Sequence, residues 1–136
     1  MSSRDGLVRS SKRIIRVTPT LNNGVAYAAG DVAFTATEIP RAVIGLGGCS
    51  KIVNCFIMDQ DRDTYDLNLV FSEGNTALGT INATADISDA NNESVEPMLI
   101  QAASDSTSVY VSGIITDGTP TFAAADDIDI ILHIED

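Results

Sequence analysis

In the segment "DDIDIILHIED", residues 126–136, Ile128, Ile130, Leu132 and Ile134 fall on one side of a two-residue period, and Asp129, Ile131, His133 and Glu135 fall on the other. Successive side chains of an extended strand point to opposite faces, so this spacing predicts a strand with one face buried. The chain alternates in this way far more often than it repeats at helical spacing. Further strands are predicted at 12–18, 31–39, 51–58, 66–72, 96–103 and 107–115, with a weaker one near 79–83. Turn-forming runs such as "NNG", "GLGG", "SEGN" and "TDGTP" separate them. Only "ISDANNE", residues 87–93, reads as helical, with Ser88 able to cap a single short turn. About eight short strands with almost no helix predict an all-β chain built as a single-domain β-sandwich or jelly roll.

At 136 residues the chain supplies one core and not two. Its 44% hydrophobic content places it among chains that fold. The net charge of −11 is unevenly distributed. Residues 1–16 hold five basic residues (Arg4, Arg9, Lys12, Arg13 and Arg16) and one acid, net +4, whereas residues 17–136 hold three basic and eighteen acidic residues, net −15. The expected organisation is therefore an extended basic N-terminal arm, 1–16, before a sandwich domain, 17–136. So acidic a body repels phosphate, which argues against nucleic acid as a partner. The arm suits an acidic protein surface instead, with Arg4, Arg9, Lys12, Arg13, Ile14 and Arg16 as its contact residues. Its end, "KRIIRVT", places Ile14 and Arg16 on one face and Ile15 and Val17 on the other, a short stripe that a second copy of the chain is suited to cover.

The opening "MSSRDGLVRSSKRIIRV" has a basic start but no following apolar stretch of the kind a secretory signal needs, and no run approaches the length required to cross a bilayer. A soluble, unexported protein with no membrane partner is expected. The glycosylation patterns at Asn82-Ala-Thr84 and Asn92-Glu-Ser94 then read as chance matches. Cys49 and Cys55 have neither zinc-site nor redox-motif spacing, and they are expected as thiols with Cys55 buried. His133, the sole histidine, projects from the more polar face of its strand as a surface or interface residue.

The stretch "DQDRDTYDLNLVF", residues 59–71, raises the question of carboxylate chemistry. Asp59, Asp61 and Asp63 have the spacing that opens a calcium loop. Thr64 stands where that loop needs glycine, however, and Val70 where it needs a bidentate glutamate. A carboxylate pair for glycoside hydrolysis would sit in a cleft lined with aromatics, and the chain has three Tyr, four Phe and no Trp. The reading adopted is a solvated hairpin tip joining 51–58 to 66–72, with no metal, no cofactor and no catalytic residue.

Four stretches, taken in order, resemble a family of small structural proteins of tailed phages and prophages. They are "RVTPTLNNGVAYAAGDV", "MDQDRDTYDLNLVFSEGN", "ADISDAN" and "VYVSGIITDGTPTFAAADDIDIILHIED", and they run from about Arg16 to the C-terminus. Some members are capsid cement, or decoration, proteins with a jelly-roll fold. This chain differs from the pattern in a shortened middle, where Glu96 follows soon after "DISDANN", and in its basic arm. The resemblance implies a non-enzymatic virion protein on the outer face of the capsid, made in the host cytoplasm. Its implied partners are the major capsid protein and other copies of itself, a dimer ahead of a trimer. A carbohydrate- or receptor-binding jelly-roll module of a phage fibre or tail is the alternative, because the fold hosts both.

Overall fold

A computed structural model of the chain describes residues 12–59, 65–74, 76–83 and 90–136. Among them are eight strands and no helix: β1 (Lys12–Val17), β2 (Val32–Ile39), β3 (Cys49–Asp59), β4 (Tyr65–Ser72), β5 (Ala77–Ala83), β6 (Ala90–Gln101), β7 (Val109–Gly118) and β8 (Ile128–Glu135). They form two four-stranded antiparallel sheets, ordered β1-β8-β3-β6 and β2-β7-β4-β5. The sheets enclose one core, so the molecule is a β-sandwich.

The alternation read from the sequence is the alternation of burial. Ile128, Ile130, Leu132 and Ile134 are all buried, as are Leu67, Leu69 and Phe71 on β4 and Val109, Val111 and Ile115 on β7. On β3 the pattern slips at Val53 and Asn54, both half-buried, where the register with β8 passes from Ile52↔Ile134 to Asn54↔His133. One extra residue on β3 makes this a bulge, and beyond it Cys55 and Ile57 regain the core face. Cys49 is exposed, Cys55 is buried, and neither forms a disulfide.

Two local expectations are corrected. The segment 59–66 does not close a hairpin: β3 pairs with β6 and β8, whereas β4 pairs with β5 and β7 in the other sheet. Both strands have one mainly apolar face, and placing them in opposite sheets sets those faces against each other across the core. From Asp59 to Tyr65 the chain can reach roughly 20 Å, ample for sheets about 10 Å apart. Asp59 is accordingly buried at the end of β3 and is not part of a solvated tip. The helical turn expected at 87–93 is also replaced, because Ala90 to Glu93 extend β6 along β3, with Met58↔Ala90 and Cys55↔Glu93 in register; residues 87–89 lie outside the described residues. A single isolated turn of helix closes few hydrogen bonds, whereas this pairing satisfies the backbone of half of β3. Pro97 is tolerated because β6 is an edge strand.

The turns account for several of the sequence motifs. Tyr27 is buried, and its hydroxyl accepts from Asn22 N (3.0 Å) and donates to Ala33 O (3.2 Å), tying two ends of a loop together. The Asp31 carboxylate accepts from Ala28 N (2.8 Å), and Gly30, in the left-handed region at φ 94°, donates to Ile115 O (2.7 Å). "YAAGD" is thus a turn that fastens the start of β2 to β7. Phe122 sits between Tyr27 and Tyr65, with ring centroids 5.6 and 5.7 Å away, and Asp127 closes the next turn by accepting from Ala124 N (2.9 Å).

Candidate partner-binding surface

The residues expected to form a basic arm are divided by the structure. Arg4 and Arg9 lie outside the described residues, whereas Lys12, Arg13, Ile14 and Arg16 belong to β1, the outer strand of the first sheet. Residues 1–11 retain Arg4, Arg9 and Asp5, net +1, so most of the positive charge read as a tether is borne by a strand of the sandwich. Within the chain this strand pairs with β8, from Lys12↔Glu135 to Val17↔Ile130. β8 covers one edge of β1. The other edge has no partner strand among the described residues.

Alternation along β1 sorts its side chains. Lys12, Ile14 and Arg16 point outward, and Ile14 is 69% exposed. They head three cross-strand rows on the outer face: Lys12–Glu135–Lys51, Ile14–His133–Asn54 and Arg16–Ile131–Phe56. Lys51 Nζ lies 3.8 Å from Glu135, and Arg16 lies 3.7 Å from Asp129, which also accepts from Thr18 Oγ1 (2.6 Å). These ion pairs are largely solvated and add little to stability. Asn54, Phe56, Ile131 and His133 border a shallow depression of about 250 Å³ on the same face.

Arg13 faces the other way. Its guanidinium donates to both oxygens of Asp136 (Nε 2.9 Å, Nη2 2.8 Å), to Ala42 O (3.0 Å) and to Arg41 O. The planar fork fits the carboxylate with two parallel bonds, which a lysine cannot reproduce. Ser50 Oγ donates to the same carboxylate. The bond from Arg13 holds the Asp136 carboxyl below the usual carboxylate range; burial opposes this, and the Ser50 bond and the charge of Arg13 assist it. Arg13 and Asp136 together therefore fasten β1, β3, the chain after β8 and the turn after β2.

That turn, 40–48, is the part of the surface that sequence reasoning missed. Arg41 has φ 54°, in the left-handed region that few non-glycine residues occupy, and its carbonyl is held there by Arg13. Ile44 and Leu46 are 62% and 70% exposed. Beside the outer edge of β1, this turn borders an open cleft of about 530 Å³ whose walls include Arg13, Ile14, Ile15, Arg41, Val43 and Ile44. The apolar letters of "RAVIGLGG" were the available signal, but glycine-rich turns commonly carry such residues.

Of the aspartates considered for metal or acid–base chemistry, Asp61 and Asp63 lie outside the described residues, Asp59 is buried and Asp66 is half-buried on β4. Among the described residues no three metal-ligating side chains converge. What the described residues present at this end is a strand edge without a partner strand, exposed branched side chains, and cations on an acidic body. Compared with protein-family models and with curated proteins, the chain matches none.

Proposed function

We propose that this chain is a non-enzymatic capsid cement protein of a tailed phage, with a jelly-roll fold, which binds the outer surface of the major capsid protein shell and stabilises the junctions between capsomers. The observation that carries the reading is the joint order of the motifs from Arg16 onward, which resembles that family, together with their structural work. "YAAGD" fastens β2 to β7, and the Asp127 turn precedes the "DIDI" strand. The jelly-roll reading is supported by the pairing rule. β1 pairs with β8, β2 with β7, β3 with β6 and β4 with β5, as expected when one long antiparallel hairpin is wrapped so that alternate pairs fall in two sheets.

Cementing needs no chemistry. Each copy adds a modest interface, and repetition over identical junctions stabilises the shell as a whole. The major capsid protein is the primary partner. Self-association on the shell, a dimer ahead of a trimer, follows from the resemblance and from the edge strands a sandwich must pair or protect. A glycan-binding fibre module is the second reading, favoured by the depression in which Phe56 lies beside Asn54 and His133. Titrating purified protein onto undecorated shells and sedimenting them separates the two. Saturable co-sedimentation that weakens with salt is expected; glycan binding without shell binding would replace the cement reading with the fibre reading.

A further inference from the structure

Three exposed branched side chains belong to one end of the sandwich: Ile14 on β1, and Ile44 and Leu46 in the turn after β2. Two of them, Ile14 and Ile44, border the 530 Å³ cleft beside the edge of β1 that has no partner strand among the described residues. Its floor includes the inward-facing Ile15 and the buried Val43. Among the described residues no carboxylate lines it, although the chain carries net charge −11. Arg13 is neutralised by Asp136, but Arg41 is exposed and makes no ion pair among the described residues. Its backbone carbonyl is held by Arg13, and its side chain borders the cleft.

The geometry points to this cleft as a site of β-strand addition, whose occupant is an extended, acidic segment of a partner protein with alternating branched apolar residues. Main-chain hydrogen bonds to the open edge of β1 supply affinity. Every second side chain of the added segment falls on Ile15, Val43 and Ile44, and a carboxylate among the others meets Arg41. Charge argues against the competing occupants. A second β1 brings Lys12 and Arg16 against their own kind, and residues 1–11 bring Arg4 and Arg9 against a single acid. The inference rests on the cement reading only for the identity of the partner, which there is the capsid protein; the peptide chemistry stands without it.

The probe is an end-blocked octapeptide of alternating valine and glutamate, titrated into the full chain and followed by backbone amide NMR and by anisotropy of a labelled copy. Saturable binding is expected, with shifts concentrated in 12–17 and 41–46. A valine–lysine peptide, and the acidic peptide with alternate amides methylated, should not bind. Arg41→Gly removes the cation while keeping a residue that favours positive φ, and should weaken binding about tenfold without lowering Tm. Ile44→Glu should weaken it further, and both variants should weaken shell decoration in parallel. Failure of the acidic peptide to bind, or binding indifferent to both variants, would overturn the inference. So would a concentration-dependent dimer abolished by Ile44→Glu, which would make a second copy the occupant. Decoration of shells undiminished in both variants would remove the capsid protein as the occupant and leave the cement reading standing. Peptide binding at this cleft by a chain that decorates no shell would remove the cement reading and leave the inference standing.

Discussion

Arg13→Ala should be the most damaging change to any charged residue of β1. The side chain is 23% exposed, its partner Asp136 is 14% exposed, and the substitution deletes four hydrogen bonds, two to a carboxylate and two to main-chain carbonyls. Bonds to charged groups contribute about 1.5–3 kcal/mol each when isolated from water. Three effects reduce the total. Ser50 still donates to the orphaned carboxylate, water reaches both groups at the rim, and the arginine regains its rotamer freedom. The net loss comes to about 2 kcal/mol, which for a domain of this size lowers Tm by about 6–8 °C. Arg16→Ala on the same strand is the control, because that side chain is 60% exposed and its nearest carboxylate oxygen is 3.7 Å away; it should cost under about 0.5 kcal/mol. The pH dependence gives a second readout. The folded-state pKa of Asp136 is depressed, so its contribution is present above the ordinary carboxylate range and is lost as pH falls through the folded value. The Tm gap between wild type and Arg13→Ala should be constant from pH 7 to about pH 5 and narrow below about pH 4. It should not close, since the bonds to Arg41 and Ala42 do not titrate. Calorimetry from pH 2 to 7 measures both. A Tm loss no larger than that of Arg16→Ala, or a gap that widens in acid, would refute the clamp.

Leu132→Ala, at the centre of β8 with no exposed surface, should cost about 3 kcal/mol in chemical denaturation, whereas His133→Ala, its exposed neighbour, should be nearly neutral. Gly113→Ala should lose about 2 kcal/mol, because the added methyl would overlap the ring of buried Phe34 on the paired strand; Phe34→Leu in the same chain should recover part of it. Millimolar calcium should leave Tm unchanged, and saturable heat in calorimetry, abolished by Asp61→Ala, would show that the 59–66 segment holds a metal after all.

The strands were legible because burial on one face imposes a two-residue period, and this chain obeys it from Tyr65 to Phe71 and from Ile128 to Ile134. What alternation does not encode is which sheet a strand joins. Asp59 to Asp66 reads equally as a tight turn or as a passage between sheets, and only the need to oppose two apolar faces decides. Ala90 to Glu93 misled for a related reason: Ala, Asn and Glu are weak strand formers, and it is the edge of β3 opposite β8 that draws them into the sheet. The surface was legible in its charges and not in their directions. Lys12, Arg13 and Arg16 look alike in sequence. Parity along β1 sends Lys12 and Arg16 to solvent and Arg13 to Asp136, more than a hundred residues away. Arg41 and its left-handed backbone leave no trace in composition at all.

The cement reading is tested most directly by copy number. Intact virions that carry the protein can be dissolved, separated on a gel and quantified against their major capsid protein. A cement protein should be present in a fixed ratio to the shell subunit, in hundreds of copies per particle, and should be lost together with resistance of the shell to internal pressure when it is stripped. A handful of copies, remaining with the tail when heads and tails are separated, would contradict that reading and identify the chain as a fibre or tail module.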